Sequence, residues 1–365
     1  MKNPSKIIAV CSFCSCARTT IPTAEASHAE EHAPTTSIKP RHLSVFRRTA
    51  SEHDHTTHPP PLLTTDSQKA RSSARGCRVQ TTTYTMARRS LALLLASSLA
   101  LMAAAVASAD SWLYDKFNTD GTVRTQYDAS GQEVAMLSLD RSSGAGFNSK
   151  EQYLYGEFSV QMKLIPGNSA GTVSCFYLSS GDGDGHDEID MEFMGNASGQ
   201  PVVLNTNVWA SGDGKKEHQF DLWFDPSADY HTYTIIWNPA NILFKVDGDV
   251  IRCFKRYADL PYPSARPMAL HATLWDGSYW ATEKGKVPVD WSAAPFVVSY
   301  RGYSANACVS GGACGGGGDD GWMSKQPDDA EWGTIRWAES NYMRYNYCDD
   351  GWRFPQGLPP ECSRS

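Results

Sequence analysis

From Asp110 to the C-terminus, short runs of Val, Ile, Phe, Tyr, Trp and Thr alternate with polar residues, and Gly, Asp, Asn or Pro breaks the pattern every ~8–12 residues. LYGEFSVQMKL, GTVSCFYLS, DEIDMEFMG, YHTYTIIWN, ILFKVDGDVIRCFKR, PMALHATLW and FVVSYRGY each read as strands, and Asp247-Gly248 marks a tight hairpin within the fifth of these. The pattern predicts an all-β sandwich, one domain of about 250 residues. One late segment, DDAEWGTIRWAESNY, reads as a helix instead, with Asp328 or Asp329 as N-cap and acids in its first turn.

Residues 1–85 show no such period. They are rich in Ser, Thr, Pro, Arg and His and read as disordered. Residues 86–109, MARRSLALLLASSLALMAAAVASA, combine a basic start, an apolar run and an Ala-Ser-Ala exit, the pattern of a secretory signal peptide. The preferred reading makes Met86 the working start and residues 1–85 an upstream extension; a type II anchor or a transit-peptide-like leader are the alternatives, and the apolar run is short for a membrane span. Composition is ordinary for a globular chain, 41% apolar and 20% charged, and a net charge of −7 gives no footprint for nucleic acid.

Of ten Cys, four lie in the leader, where CSFCSC lacks a second pair at zinc-finger spacing. Cys175 and Cys253 sit in apolar runs and read as buried free thiols. Cys308, Cys314, Cys348 and Cys362 allow three pairings, of which the sequential one closes the two shortest loops. Residues 110–303 are therefore read as the sandwich and residues 304–365 as a C-terminal extension.

The chemistry centres on HDEIDMEFMGN, residues 186–196. Glu188, Asp190 and Glu192 recur at the strand period, so three carboxylates share one face and Ile189, Met191 and Phe193 the other. Crowded acids repel, which raises at least one pKa and lets one carboxyl hold a proton while another stays charged. Glycoside hydrolysis needs that division of labour. Asp190, in the middle, is placed to tune the pair and to accept a hydrogen bond that orients the nucleophile. Cα atoms four apart on a strand lie roughly 13 Å apart, against carboxyl separations of about 5–5.5 Å in retaining enzymes, so both Glu side chains must lean inward and spacing alone does not decide the stereochemistry.

Other chemistries find less support. GDGDGHDEID resembles a calcium loop, but Asp187 stands where an EF-hand needs Gly. No HExxH, GxSxG or phosphate loop occurs, so neither metal nor cofactor is expected. Trp209, Trp223, Trp275, Tyr279 and Trp280 lie beside polar turns, where flat rings suit sugars, although Trp223 and Trp275 fit a core role equally well.

HDEIDMEFMGN closely resembles the signature HDEIDFEFLGN of plant xyloglucan endotransglucosylase/hydrolases, in glycoside hydrolase family 16. The likeness extends through QFDLWFDPSADYHTYTIIWNP, VDGDVIRCFKR, DWSAAPFVVSYRGY and YNYCDDGWRFPQGLPPEC, essentially all of residues 110–365. It implies a concanavalin A-like β-jelly-roll with a helix-containing extension held by two disulfides, in agreement with the sequential pairing. By the same resemblance Glu188 is the nucleophile, Glu192 the acid/base and Asp190 their helper. Asn205, Thr206, Asn207, Lys215, Lys216, Glu217, Tyr279, Trp280 and Arg353 fall in sugar-contacting segments. Asn196 matches the family's glycan site and satisfies the sequon on its own. The implied partners are xyloglucan donor and acceptor chains, acted on by a secreted, monomeric enzyme of the cell wall and apoplast that touches neither nucleic acid nor membrane once its signal is removed.

Two features bear on the outcome of the reaction. The family's NADDWAT stands here as DGSYWAT, with Tyr279 in place of an acid and Lys284-Gly285 in place of a Gly-Gly, which puts acceptor preference in doubt. ASGDGKKEHQF lacks the lengthened loop of the family's hydrolytic branch, which favours transfer over hydrolysis. A predominantly hydrolytic enzyme, a transglycosylase using another β-glucan, and a wall-binding protein with lapsed catalysis are the alternatives.

Overall fold

The computed structural model describes residues 111–282, 284–312, 314–315 and 321–364; the expected leader and signal segment lie outside the described residues. The alternating runs form antiparallel strands β1 (Phe117–Tyr127), β2 (Glu133–Leu139), β3 (Ala145–Lys163), β4 (Thr172–Ser179), β5 (Glu188–Met194), β6 (Val203–Trp209), β7 (His218–Asp221), β8 (His231–Trp237), β9 (Asn241–Val246), β10 (Asp249–Lys255), β11 (Met268–Asp276), β12 (Phe296–Val309), β13 (Cys314–Gly315) and β14 (Met343–Asn346).

The 19-residue β3 turns one hydrogen-bonded ladder into two layers. Its first half pairs with β1 and β11, its second with β8 and β12. One layer therefore runs β1-β3-β11-β4-β5-β6-β7-β14, and the other carries β12, β3, β8, β9 and β10. Phe176, Leu178, Ile189, Met191 and Leu270 of the first layer meet Phe158, Val160, Tyr233, Ile235 and Phe244 of the second in one buried core. Each large apolar side chain removed from water there stabilises the sandwich by about 1.5–3 kcal/mol. The β9–β10 hairpin turns on Asp247 and Gly248, both at positive φ (51° and 92°), as a type I′ turn demands.

The predicted helix spans Asp329–Tyr342, and of the two candidate caps Asp328 is the one used. Its carboxylate accepts the Glu331 N–H while the Glu331 side chain accepts the Asp328 N–H, a reciprocal capping box. Ile335 and Trp332 pack with Trp322 on Leu243 and Val250, the outward face of the second layer. The chain then returns to add β14 beside β7, at the edge of the first layer. Disulfides join Cys308 to Cys314 and Cys348 to Cys362, and Cys175 and Cys253 are free thiols, the first buried and the second half-buried. β12 continues through the division expected between residues 303 and 304, so the extension grows out of a sandwich strand. Trp223 packs edge-on against Phe224 and Trp337, which gives it a packing role.

Candidate active site

β5 lies between β4 and β6, anchored from below by Ile189, Met191 and Phe193 in the core. The opposite face carries the three acids, and the pairing register decides their neighbours. Glu188 stands between Ser179 and Trp209, Asp190 between Tyr177 and Asn207, and Glu192 between Cys175 and Asn205. All three carboxyls are at most 2% exposed. Burial at that level is costly for a carboxylate unless donors meet it. Asn205 Nδ2 donates to Glu192 Oε2 at 2.8 Å, and the Ser179 hydroxyl donates to Glu188.

Burial, more than the repulsion anticipated from the sequence, perturbs these acids. It pushes Glu188 up to about 8, with the Glu192 charge adding to the rise and the Ser179 bond opposing it. Asp190, fully buried between two acids, lies well above the usual carboxylate range, burial again coming first. Both Asp190 oxygens and Glu188 Oε1 are buried with no N–H or hydroxyl aimed at them. Asp190 and Glu188 face each other as a pair, an interaction that lowers Glu188 and raises Asp190.

Around the acids the concave layer is lined by rings and unsatisfied polar atoms. His186 tilts over Trp209 with centroids 4.9 Å apart, Tyr177 and His271 stack at 4.8 Å and 16°, and Trp275 stacks on Trp280 at 6.2 Å and 26°. Tyr177, His271, Thr273, Trp275 and Trp291 line one stretch of this cleft, a cavity of about 580 Å³. His186 Nε2, Asn205 Oδ1, Asn207 Nδ2, Thr273 Oγ1 and Trp275 Nε1 are buried without a hydrogen-bond partner. Buried polar atoms are normally bonded, so a row of exceptions on one cleft wall is what a hydroxyl-rich ligand would complete.

The residues expected to touch sugar divide in two. Asn205, Asn207 and Trp280 lie on the cleft side, and Tyr279 stands on its rim, 74% exposed. Lys215 is exposed at positive φ, 65°, on the β6–β7 loop. Thr206, by strand alternation, points away from the cleft and binds Arg252 of the second layer. Lys216 Nζ turns back onto Asp213 at 2.7 Å. Glu217 is clamped by Arg353 through two bonds of 2.7 and 2.9 Å, so this pair ties the C-terminal extension to the cleft loop. Asn196 lies just past β5 after Gly195, half-buried, with Nδ2 on the Pro201 carbonyl. Ser179, Tyr177, His186 and His271 were not foreseen. Period-two alternation puts Ser179, Tyr177 and His271 each on one strand face, while His186 lies in the loop before β5; only the β11-β4-β5-β6 pairing brings them together.

Comparison with known proteins matches this arrangement to a family. The profile of Glycosyl hydrolases family 16 matches residues 113–293, and that of the Xyloglucan endo-transglycosylase (XET) C-terminus matches residues 317–362. The chain is 62% identical over 285 residues to Xyloglucan endotransglycosylase/hydrolase protein 8 of Oryza sativa subsp. japonica, covering 75% of this chain and 98% of that protein. It is 52% identical over 240 residues to Xyloglucan endotransglucosylase/hydrolase protein 22 of Arabidopsis thaliana, covering 63% and 84%. A solved prokaryotic β-1,3-1,4-glucanase (lichenase) from a mouse hindgut metagenome aligns at 26% identity and a TM-score of 0.43, over 54% of this chain and 94% of that one. With both profiles matched in chain order and a 62% identical relative covered almost end to end, the chain belongs to the xyloglucan endotransglucosylase/hydrolase family.

Proposed function

We propose that this protein cleaves the β-1,4-glucan backbone of xyloglucan with retention and transfers the glycosyl fragment to another xyloglucan chain. One observation carries the reading: three buried acids in a row on one strand, each flanked by polar groups of the adjoining strands. Glu188 attacks the anomeric carbon while Glu192 gives its proton to the departing glucan oxygen. Asp190 donates its hydrogen bond to Glu188 and keeps the site from holding three charges at once. In the second half Glu192 takes the proton from an incoming hydroxyl, which attacks the glycosyl-enzyme and frees Glu188.

Whether sugar or water resolves the intermediate depends on how well the acceptor side holds a glucan. The β6–β7 loop, Ala210 to Glu217, is short and tied down by Lys216 and Glu217, which leaves the cleft open to a chain and supports transfer. Residues 86–109 fit export to the cell wall, Asn196 fits a glycan acceptor, and no helix among the described residues is long and apolar enough to cross a membrane.

The test incubates the secreted protein with xyloglucan and a labelled xyloglucan oligosaccharide, following polymer-linked label beside new reducing ends. Label incorporation supports transfer. Reducing ends alone make the enzyme a hydrolase, and binding without either rejects catalysis.

A further inference from the structure

Arg252 is the most unusual residue of the second layer. It lies on β10, is 2% exposed, and reaches through the core to the underside of the cleft layer. Nη1 donates to the Thr206 carbonyl at 2.7 Å and to Thr206 Oγ1 at 2.8 Å, and Nη2 donates to the Lys216 carbonyl. The plane lies 5.4 Å from the Phe244 ring. Every one of these hydrogen bonds ends on a neutral oxygen. A guanidinium buried without a carboxylate bears a desolvation cost that hydrophobic packing would avoid, so its presence calls for a role.

Thr206 makes the complementary exception. Its inward neighbours on β6 are Leu204 and Val208, both apolar core residues, whereas its hydroxyl accepts from Arg252 and donates to the His218 carbonyl. On either side of it, facing the cleft, stand Asn205, which holds Glu192, and Asn207, whose Oδ1 accepts the Lys216 N–H at 3.0 Å. Arg252 thus grips from below both segments that frame the acid/base: β6 at its midpoint and the β6–β7 loop at Lys216. The charged or titratable groups around the guanidinium are His218, Glu217, Asp190, Cys253, Tyr347 and Glu339. Glu192 itself is faced by Glu188 and Asp190 on its own strand and by Cys175 on β4.

We propose that Arg252 is a positioning residue for the acid/base: it fixes the height of β6 so that Asn205 stays on Glu192, and it supplies a buried positive charge beneath the acids. This rests on the reading of Glu192 as acid/base. The two carbonyls are served by two nitrogens of one rigid fork, whereas a Lys ammonium keeps the charge as a single point on a shorter reach, so Lys is a partial substitute and Met none.

The experiment compares Arg252→Met and Arg252→Lys on xyloglucan and on a dinitrophenyl β-glycoside of a xyloglucan oligosaccharide, whose leaving group needs no proton. For Arg252→Met, kcat on xyloglucan is expected to fall about 10-fold or more with little change in KM, and the loss to shrink on the activated substrate. Losing a positive charge and the Asn205 bond both disfavour ionised Glu192, so the basic limb of the kcat/KM profile moves to higher pH. Arg252→Lys falls between. Equal losses on both substrates with an unmoved basic limb would overturn the proposal. If Arg252→Met fails to fold, Thr206→Val keeps the carbonyl but removes the hydroxyl; a smaller shift in the same direction supports the proposal, and an unmoved limb in a folded variant refutes it. Glu192→Gln separates the two readings: if the activated substrate does not rescue it, the acid/base assignment fails independently of Arg252.

Discussion

The catalytic strand and the segment from Asp276 to Lys286 border the same cleft and are built on opposite principles. On β5 every acid is buried, and the donors that reach Glu188 and Glu192 come from neighbouring strands, as Asn205 holds Glu192 across 13 positions. Along the rim the side-chain bonds are local: Asp276 accepts from Ser278, and Thr282 Oγ1 bonds the Ser278 and Val287 carbonyls. A substitution on β5 disturbs three strands at once, whereas a substitution at Tyr279 disturbs only what approaches from solvent. Under the proposed function, bond cleavage belongs to the buried row and the choice of what receives the sugar to the rim.

The largest effect is expected from removing the buried acids. Glu188→Ala is expected to reduce both label transfer and reducing-end release to background while the circular dichroism spectrum stays native. Activity near the parent level would mean that another group attacks the anomeric carbon. Glu192→Gln keeps shape and the Asn205 contact but has no proton to give. It is expected to lower kcat on xyloglucan by roughly 10²–10⁴, and much less on a substrate with an activated leaving group.

Much of this was legible in the sequence because it depends on local rules. Period two put Glu188, Asp190 and Glu192 on one face; Asp-Gly at 247–248 located a hairpin; acids in the first turn located the helix, with its cap at Asp328 or Asp329. What depends on register was not legible. Nothing local to LNTNV shows that Thr206 meets an arginine 46 positions away, or that Ser179 and Tyr177 stand opposite Glu188 and Asp190. A sugar-contacting segment carried over whole also misses the alternation within it, so Thr206 stands beside Asn205 and Asn207 yet points away from them into the core. Crowding among the acids was readable from spacing, but the larger cause of their raised pKa values, burial, depends on the layer that surrounds them.

That burial leaves a signature in stability. Glu188 rises from 4.5 to about 8 on folding, so the native state keeps a proton that the unfolded chain has released in that interval. A raised carboxyl pKa makes stability complete below about pH 4.5 and erodes it as pH climbs towards 8. Glu188→Gln removes the group that must be charged in a dry site. Its melting temperature at pH 8 is expected to exceed the parent's by a few degrees, with the gap closing towards pH 4.5. A gap that persists or widens on acidification would show that Glu188 does not carry the perturbed titration. Under the proposed mechanism the same group is expected to set the acid limb of the kcat/KM profile, because the attacking carboxyl must be ionised.

The smallest effect is expected on the rim, and it tests the other half of the comparison. Tyr279 is 74% exposed beside Trp280, whose ring stacks on Trp275 at the cleft wall. An aromatic ring at that edge can pack on the C–H face of an incoming sugar at a cost of little more than its own exposure, a contact worth about 0.5–1.5 kcal/mol. Tyr279→Ala should therefore raise the acceptor KM by about 2–10-fold and shift the partition from transfer towards hydrolysis. Cleavage of the donor, read from single-turnover release of the leaving chain, should stay unchanged because the buried row is intact. Tyr279→Asp should weaken an unsubstituted glucan acceptor at least as much, since a charge replaces the flat surface. If Tyr279→Ala slows donor cleavage in proportion to transfer, the rim is part of the catalytic apparatus and the division drawn between the two regions does not hold.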